Sequence, residues 1–525
     1  MFNKNWLVFK CLLVVFLITN FCGITLFAQT ENEHYGGELK VGISAEPVTL
    51  HVHTSPALVT TTVGGHVVEG LYAMDAEGSF KPLLAKDRAE WNEEKKEFII
   101  RLHQGVKFHN GKEMTSEDVI ASIQSWRQHS SQASLFEAFV TNIKAIDPYT
   151  ISISSKEEFV IEALLGYPTQ ICAIFPKELL EEGFQIPIGT GPYKVEEWIS
   201  GSHITMVRHD DYTVVGTGPA SGFVGEKIPY FDKITFRFVP EDSTRLELLL
   251  AGELDFVDSL SSINYSRLMD SKIATPIVVK PLWKPLWRFN FKSFPAGMDA
   301  DEALKFRQAI QAVIDHEALM KAASGGQEPF YRLNSCIIAY PEQKYWNDEM
   351  DNTYNQKDLE KAKRLLQESG YAGEKINIMI AKDLSWIYKP SLEFIYQLES
   401  KLGINVNVET MNFTTILERR FEEKRWDIFS EGNSISYHPL YWGSFWTGTR
   451  PGWFTTDRAK EICQLATKTR DENELYDLGV ELSGILEENV PEIHGGDFFE
   501  MRGASTALQN LRGNVRDCFF WSTWK

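Results

Sequence analysis

The chain has 525 residues, 43% of them hydrophobic and 24% charged, and a net charge of −19. At roughly 100–200 residues per domain this length gives two or three domains with a large buried core. The acidic residues are spread along the sequence, which excludes a nucleic-acid partner, since phosphate neutralisation needs clustered Lys and Arg.

In chain order, Lys4 and Lys10 precede an apolar run, CLLVVFLITNFCGITLFA, from Cys11 to Ala28, and no acid occurs before Glu31. This is the pattern of a secretory signal peptide over residues 1–28, with cleavage expected after Ala28 and an exported mature protein. An uncleaved anchor and a lipid anchor on Cys22 are the alternatives. Asn20 interrupts the run, and Thr19-Asn20-Phe21 is bulkier than a lipidation site. Past this segment stand Cys172, Cys336, Cys463 and Cys518. Two disulfides in any of their pairings, a single bridge and buried thiols are all open.

GGELKVGI alternates as an opening strand, and WNEEKKEFIIRL is a turn feeding another. Thr115 or Ser116 caps a helix with Glu117 and Asp118 in its first turn, where the helix dipole favours acids. KAIDPYTISIS is a turn into a strand, KITFRFV is a strand, and STRLELLLAGELDFV is a helix closed by Gly252 before a short strand. KPLWKPLWRFNF, broken by prolines, is a connector. The stretch 300–324 then keeps apolar residues on one face as a single long helix. Helices and strands alternate onward through DLEKAKRLLQESGY, INIMI, SLEFIYQLESKLGI, INVNVET and FTTILERRFEEKRWDIF. This order predicts an α/β fold with a mostly parallel sheet.

Catalytic spacings are not found. There is no H-E-x-x-H and no G-x-S-x-G, and GVKFHNGK lacks the spacing and the hydroxyl residue of a phosphate loop. GTGPY at 189–193 is a tight turn that uses glycine for unusual backbone angles. His51 and His53 could share a strand face, but no further metal ligands accompany them, so no metal and no cofactor is expected. His103, His109, His203 and His209 are scattered and fit surface positions. The tryptophans are more informative. Trp283 and Trp287 lie in the Pro-broken connector, Trp386 lies before a helix, and Trp442, Trp446 and Trp453 lie in the Gly/Ser/Pro-rich stretch 426–453. Loops at strand ends bound ligand sites in α/β sheets, and aromatic rings supply rigid contact area there. Sealing one domain on another is the competing use of such rings.

Several motifs together resemble the bacterial extracellular solute-binding proteins of the peptide/nickel class, which serve ABC importers. They are GGELKVGISAEPVTLHV, FIIRLHQGVKFHNGKEMTSEDVIASIQSW, IGTGPYKVEEW, RFNFKSFPAGMDADEALKFRQAIQAVIDHEAL, DLEKAKRLLQESGY and WDIF. The resemblance implies a two-lobed periplasmic-binding-protein fold of type II with an extra subdomain in lobe 1. Lobe 1 is expected over 29–285, with the subdomain at about 74–186. Lobe 2 is expected over 286–494, and 495–525 returns to lobe 1. It further implies a monomer, no enzymatic step, a small-molecule ligand (a peptide or other organic solute) held between the lobes, and ABC permease subunits as membrane partners. Peptide binders of this class keep an aspartate for the ligand amino group in a segment that here is GNSISYHPLYW, where no Asp occurs between Asp427 and Asp457. A less charged ligand is therefore favoured over a free peptide, since a buried ammonium without a counter-charge costs several kcal/mol, as an order of magnitude. Sugars, opines, glutathione, haem and metal chelates stay open. The expected ligand-binding residues are Trp283, Trp287, Arg288, Trp386, Tyr388, Lys389, Asn433, Ser436, Tyr437, His438, Trp442 and Trp446.

Overall fold

The computed structural model describes residues 34–525 apart from 185, 294–296, 435–437 and 512–518. The segment read as a signal peptide, with Cys22, and Cys518 lie outside the described residues. In chain order the strands are β1 (Glu38–Ile43), β2 (Tyr72–Met74), β3 (Phe80–Pro82), β4 (Glu90–Asn92), β5 (Glu97–Arg101), β6 (Val140–Asp147), β7 (Thr150–Ser155), β8 (Tyr193–Ile199), β9 (His203–Arg208), β10 (Lys233–Phe238), β11 (Phe256–Leu260), β12 (Ala274–Phe289), β13 (Tyr331–Arg332), β14 (Ile376–Ala381), β15 (Val406–Met411), β16 (Ile428–Asn433), β17 (Glu492–His494) and β18 (Asp497–Ser505).

One long sheet runs β15-β14-β16-β12-β18-β11-β1-β10-β9-β8, with β13 on β18 and β17 on β12. The expectation of a mostly parallel sheet is corrected. Among the described residues β1 is parallel to β10 and β11, and β14 to β15 and β16, whereas the remaining pairs of this sheet are antiparallel. The reason lies in β12 and β18, which run in opposite directions through the middle and join two parallel blocks.

The Pro-broken connector is also corrected: it belongs to β12, which contains Pro276, Pro281 and Pro285. Proline is tolerated at irregularities in a ladder. Here the register shifts between Val279 and Trp283, where Pro281 falls, and the strand then turns from β18 to β16 and β17. Pro285 lacks an N–H, but its carbonyl still accepts the Gly495 N–H at 2.8 Å. The single helix expected over 300–324 is two, Ala300–Val313 and His316–Ser324. Ile314 is extended between them, and the Asp315 carboxylate accepts the Ala318 N–H at 3.1 Å as an N-cap. The apolar spacing continues through this break, so periodicity could not reveal it.

A second sheet, β4-β5-β7-β6, forms the subdomain core with the helix Ser116–His129, which Thr115 caps, as one of the two expected residues, in a capping box with Asp118. That core, around Phe98, Ile123, Trp126 and Ile153, also takes in Leu440 and Tyr441 from far along the chain. The β14–β16 block builds its own core from Trp287, Phe306, Ile378, Phe394 and Leu398. In the GTGPY turn the glycines serve close approach. Neither Gly189 nor Gly191 has a positive φ, but a Cβ on Gly189 would lie 2.1 Å from the Val67 carbonyl oxygen. His109 holds this turn through Nε2 on the Gly191 carbonyl, 2.9 Å away, and His209 is buried, so these two histidines are not surface residues. Cys172, Cys336 and Cys463 are buried free thiols.

Candidate functional site

In α/β sheets ligands gather beyond the carboxyl ends of parallel strands. β14 and β16 end at Ala381 and Asn433, beside the place where β12 and β18 cross. Three rings meet there. Trp283 of β12 lies opposite Phe498 of β18 and stacks on Trp386 at 5.6 Å and 28°; Trp386 stacks on Phe498 at 5.6 Å and 7°. Trp283 and Trp386 are half-buried. The Trp283 Nε1–H donates to Glu500 at 2.9 Å, which fixes the indole. Trp386 stands in the first turn of the helix Ser385–Leu402, not in the connector before it. Four residues on, Pro390 has no N–H, so the Trp386 carbonyl lacks its helical donor and remains an acceptor at this end. Gly432 lies under the ring, since a Cβ there would sit 2.1 Å from Trp386 Cη2. Asn433, half-buried, follows it.

Several expected ligand residues are elsewhere. Trp287 is fully buried beneath the helix Ser385–Leu402, where it stacks on Phe394 at 4.7 Å and donates to Ser391 Oγ at 3.0 Å. Trp442 and Trp446 are packed beneath the helices Asp457–Ala466 and Glu472–Asn489 with Cys463, Leu475 and Leu482. These three tryptophans are core residues: Trp287 of β12 seats a helix on the sheet, and Trp442 and Trp446 pack under two helices. Arg288 is buried in an ion cluster, with Nη2 2.8 Å from Glu492 and Nε 3.6 Å from Glu431, and Glu431 also receives Arg450 at 2.7 Å. Desolvation holds the Glu492 carboxyl above, and the Arg288 guanidinium below, their ordinary values. Tyr388 packs on the block's core, and Lys389 is exposed on the helix. Ser436 and Tyr437 lie outside the described residues.

His438 stands apart, in a recess between the subdomain and the helix Glu472–Asn489. Phe80 faces its imidazole edge-on at 5.8 Å and Tyr345 at 6.0 Å, and Arg88, Glu162, Arg470 and Glu472 complete the wall. The Leu440 N–H donates to His438 Nδ1 at 3.1 Å, which places the proton of the neutral ring on Nε2. Burial, assisted by Arg88, lowers the His438 pKa to about 3, so the ring stays neutral. On the face of β12 opposite Trp283, Lys284 pairs with Asp497 at 2.7 Å, both buried, and Arg332 reaches the same carboxylate at 2.6 Å. This pins the crossing strands. His51 and His53 have ring centroids 5.2 Å apart, and among the described residues no group of three or more potential metal ligands occurs. Phe498, Phe80 and Tyr345 escaped the sequence reading. The alternation after Gly495-Gly496 could have turned Phe498 toward Trp283, but only packing between distant parts of the chain brings Phe80 and Tyr345 to His438.

The family model of bacterial extracellular solute-binding proteins, family 5 Middle, matches residues 79–453. The probable peptide ABC transporter periplasmic-binding protein y4tO of Sinorhizobium fredii is 26% identical over 390 residues, 70% of this chain and 69% of that protein. The glutathione-binding protein GsiB of Salmonella typhimurium is 22% identical over 480 residues, 87% of this chain and 88% of that protein. Among solved structures HbpA2 from Haemophilus parasuis superposes with a TM-score of 0.77 at 18% identity, covering 93% of this chain and 100% of that one. The chain therefore has the two-lobed α/β architecture of periplasmic binding proteins. With residues 79–453, well over half of it, matched and its fold the same, the chain belongs to the bacterial extracellular solute-binding proteins of family 5.

Proposed function

We propose that the chain captures a peptide-like or other small organic solute between its lobes and delivers it to ABC permease subunits. The observation that carries this is the ring set of Trp283, Trp386 and Phe498, drawn from both crossing strands and from lobe 2 at the carboxyl ends of β14 and β16. Lobe 1 comprises 29–285 and 495–525 with the subdomain at about 74–186, and lobe 2 comprises 286–494. Two hydrophobic cores, one around Val41, Phe236 and Phe520 and one around Trp287, Ile378 and Phe394, support this division. The protein works as an exported monomer, after loss of the signal peptide, in a periplasmic or extracytoplasmic space, and it binds without chemical conversion. Its relatives' names, peptide-binding and glutathione-binding, support that reading. The rings, together with a sequence lacking Asp over 428–456, favour a ligand with flat or uncharged groups at the floor.

A thermal-shift panel of tripeptides, glutathione, opines, oligosaccharides and nickel chelates tests it. A ligand at about 100 times its Kd stabilises by about 2.7 kcal/mol. One class is expected to raise the Tm, and Trp386→Ala to weaken that ligand at least about tenfold. A panel with no shift, or a shift that Trp386→Ala leaves intact, rejects the assignment.

A further inference from the structure

Lobe 2 grips the subdomain away from the ring floor. Leu440 and Tyr441 are 2% and 5% exposed inside the subdomain's core, with the Tyr441 hydroxyl donating to the Ala163 carbonyl at 2.9 Å and its ring 4.4 Å from that of Tyr167. Arg470, between the helices Asp457–Ala466 and Glu472–Asn489, reaches into the same subdomain. Its Nη1 lies 3.0 Å from Glu158, its Nη2 donates to the Ala89 carbonyl at 3.0 Å, and it pairs with the buried Glu162. The Val160 N–H donates to the Thr467 carbonyl at 3.1 Å, and Lys468 meets Glu157 at 2.8 Å.

Every one of these contacts joins the two sides of the cleft. Opening would put Leu440 and Tyr441 into water and take Arg470 from the Glu162 carboxylate, which is 4% exposed and would keep, as an ion pair, only its longer 3.6 Å one with Arg88. Both consequences are unfavourable. None of the contacts involves the rings at the floor. We propose that Tyr441 and Arg470 form a latch that holds the unliganded protein closed, and so set the affinity of the cleft for all its ligands by one common factor. The inference rests on the two-lobed closure proposed above. A residue that touches a ligand changes discrimination between ligands. A residue that changes only the closed fraction scales every apparent Kd alike.

Small-angle X-ray scattering of the unliganded full chain is the test. The wild-type profile is expected to fit the closed structure. The radius of gyration should rise in Arg470→Ala with Tyr441→Ala, at an unchanged far-UV circular dichroism spectrum, and Arg470→Lys should stay near wild type. If the double variant does not fold, Arg470→Gln and Tyr441→Phe carry the same comparison singly. A wild-type protein that scatters as an open molecule overturns the latch. So does a set of variants with lowered Tm but an unchanged radius, because the contacts would then be structural only. The measurement uses no ligand, so failure to find a bound solute would sink the proposed function and leave this result standing.

Discussion

At the scale of single residues, the floor depends on what Gly432 lacks. A Cβ there would lie 2.1 Å from Trp386 Cη2 and 2.8 Å from Ile387 Cδ1, so no methyl fits while the indole stays stacked. Gly432→Ala is expected to cost about 1–3 kcal/mol in a urea melt, as overpacking does, and to displace the ring. Trp386 emission should move to the red, and binding at the floor should weaken in parallel. An unaltered emission spectrum would show the ring elsewhere. Sequence composition showed the excess of aromatic residues but not which of them face a cleft. Trp283 and Trp287 differ in fate although both lie on the same face of β12. The first falls at the register shift near the crossing, and the second falls beneath a helix. That distinction depends on partners far along the chain, which spacing does not encode.

At the scale of elements, the strands and helices were largely legible where a local signal exists. β1, β10, β14 and the helix Ser116–His129 follow from alternation and capping. β12 was hidden by its prolines, and the direction of the central pairs was hidden because β18 is more than 200 residues from β12 in sequence. The GTGPY turn illustrates a different limit, since its glycines answer to a neighbouring backbone at Val67 and not to their own dihedral angles. Gly189→Ala therefore should not be rescued by a compatible φ. A loss of about 1–3 kcal/mol is expected from chemical denaturation, comparable to inserting a methyl into a packed core. Gly201→Ala is the contrast: it has open space around it but a φ of 74°, so its cost arises from backbone strain alone.

For the whole molecule, burial of histidines ties stability to pH. Desolvation brings His53, His109, His316 and His438 to about 3, and His51 and His66 to about 4. In the unfolded chain each takes up a proton near its ordinary value of about 6.5. Between that value and the folded one the unfolded state binds more protons, so stability is full above about pH 6.5 and falls as the pH drops toward 4. Calorimetric melts should show Tm declining through this window, with a slope larger than one proton supplies. A flat Tm between pH 6.5 and 4 would mean that these rings are hydrated in solution. The charge balance of the sequence suggested nothing of this, because the effect belongs to burial and not to composition.

The crossing strands also carry an architectural consequence. The Phe289 N–H donates to the Pro491 carbonyl at 3.1 Å, so the roughly two hundred residues between them leave and re-enter the molecule at one point. The segment 290–490 is thus topologically a cassette, inserted through a single doorway into the chain on either side of it. Such a layout allows that segment to be exchanged or remodelled wholesale while the rest of the chain keeps its fold. It also marks 289 and 491 as the natural splice points for chimaeras that graft the specificity of one transporter onto the docking surface of another.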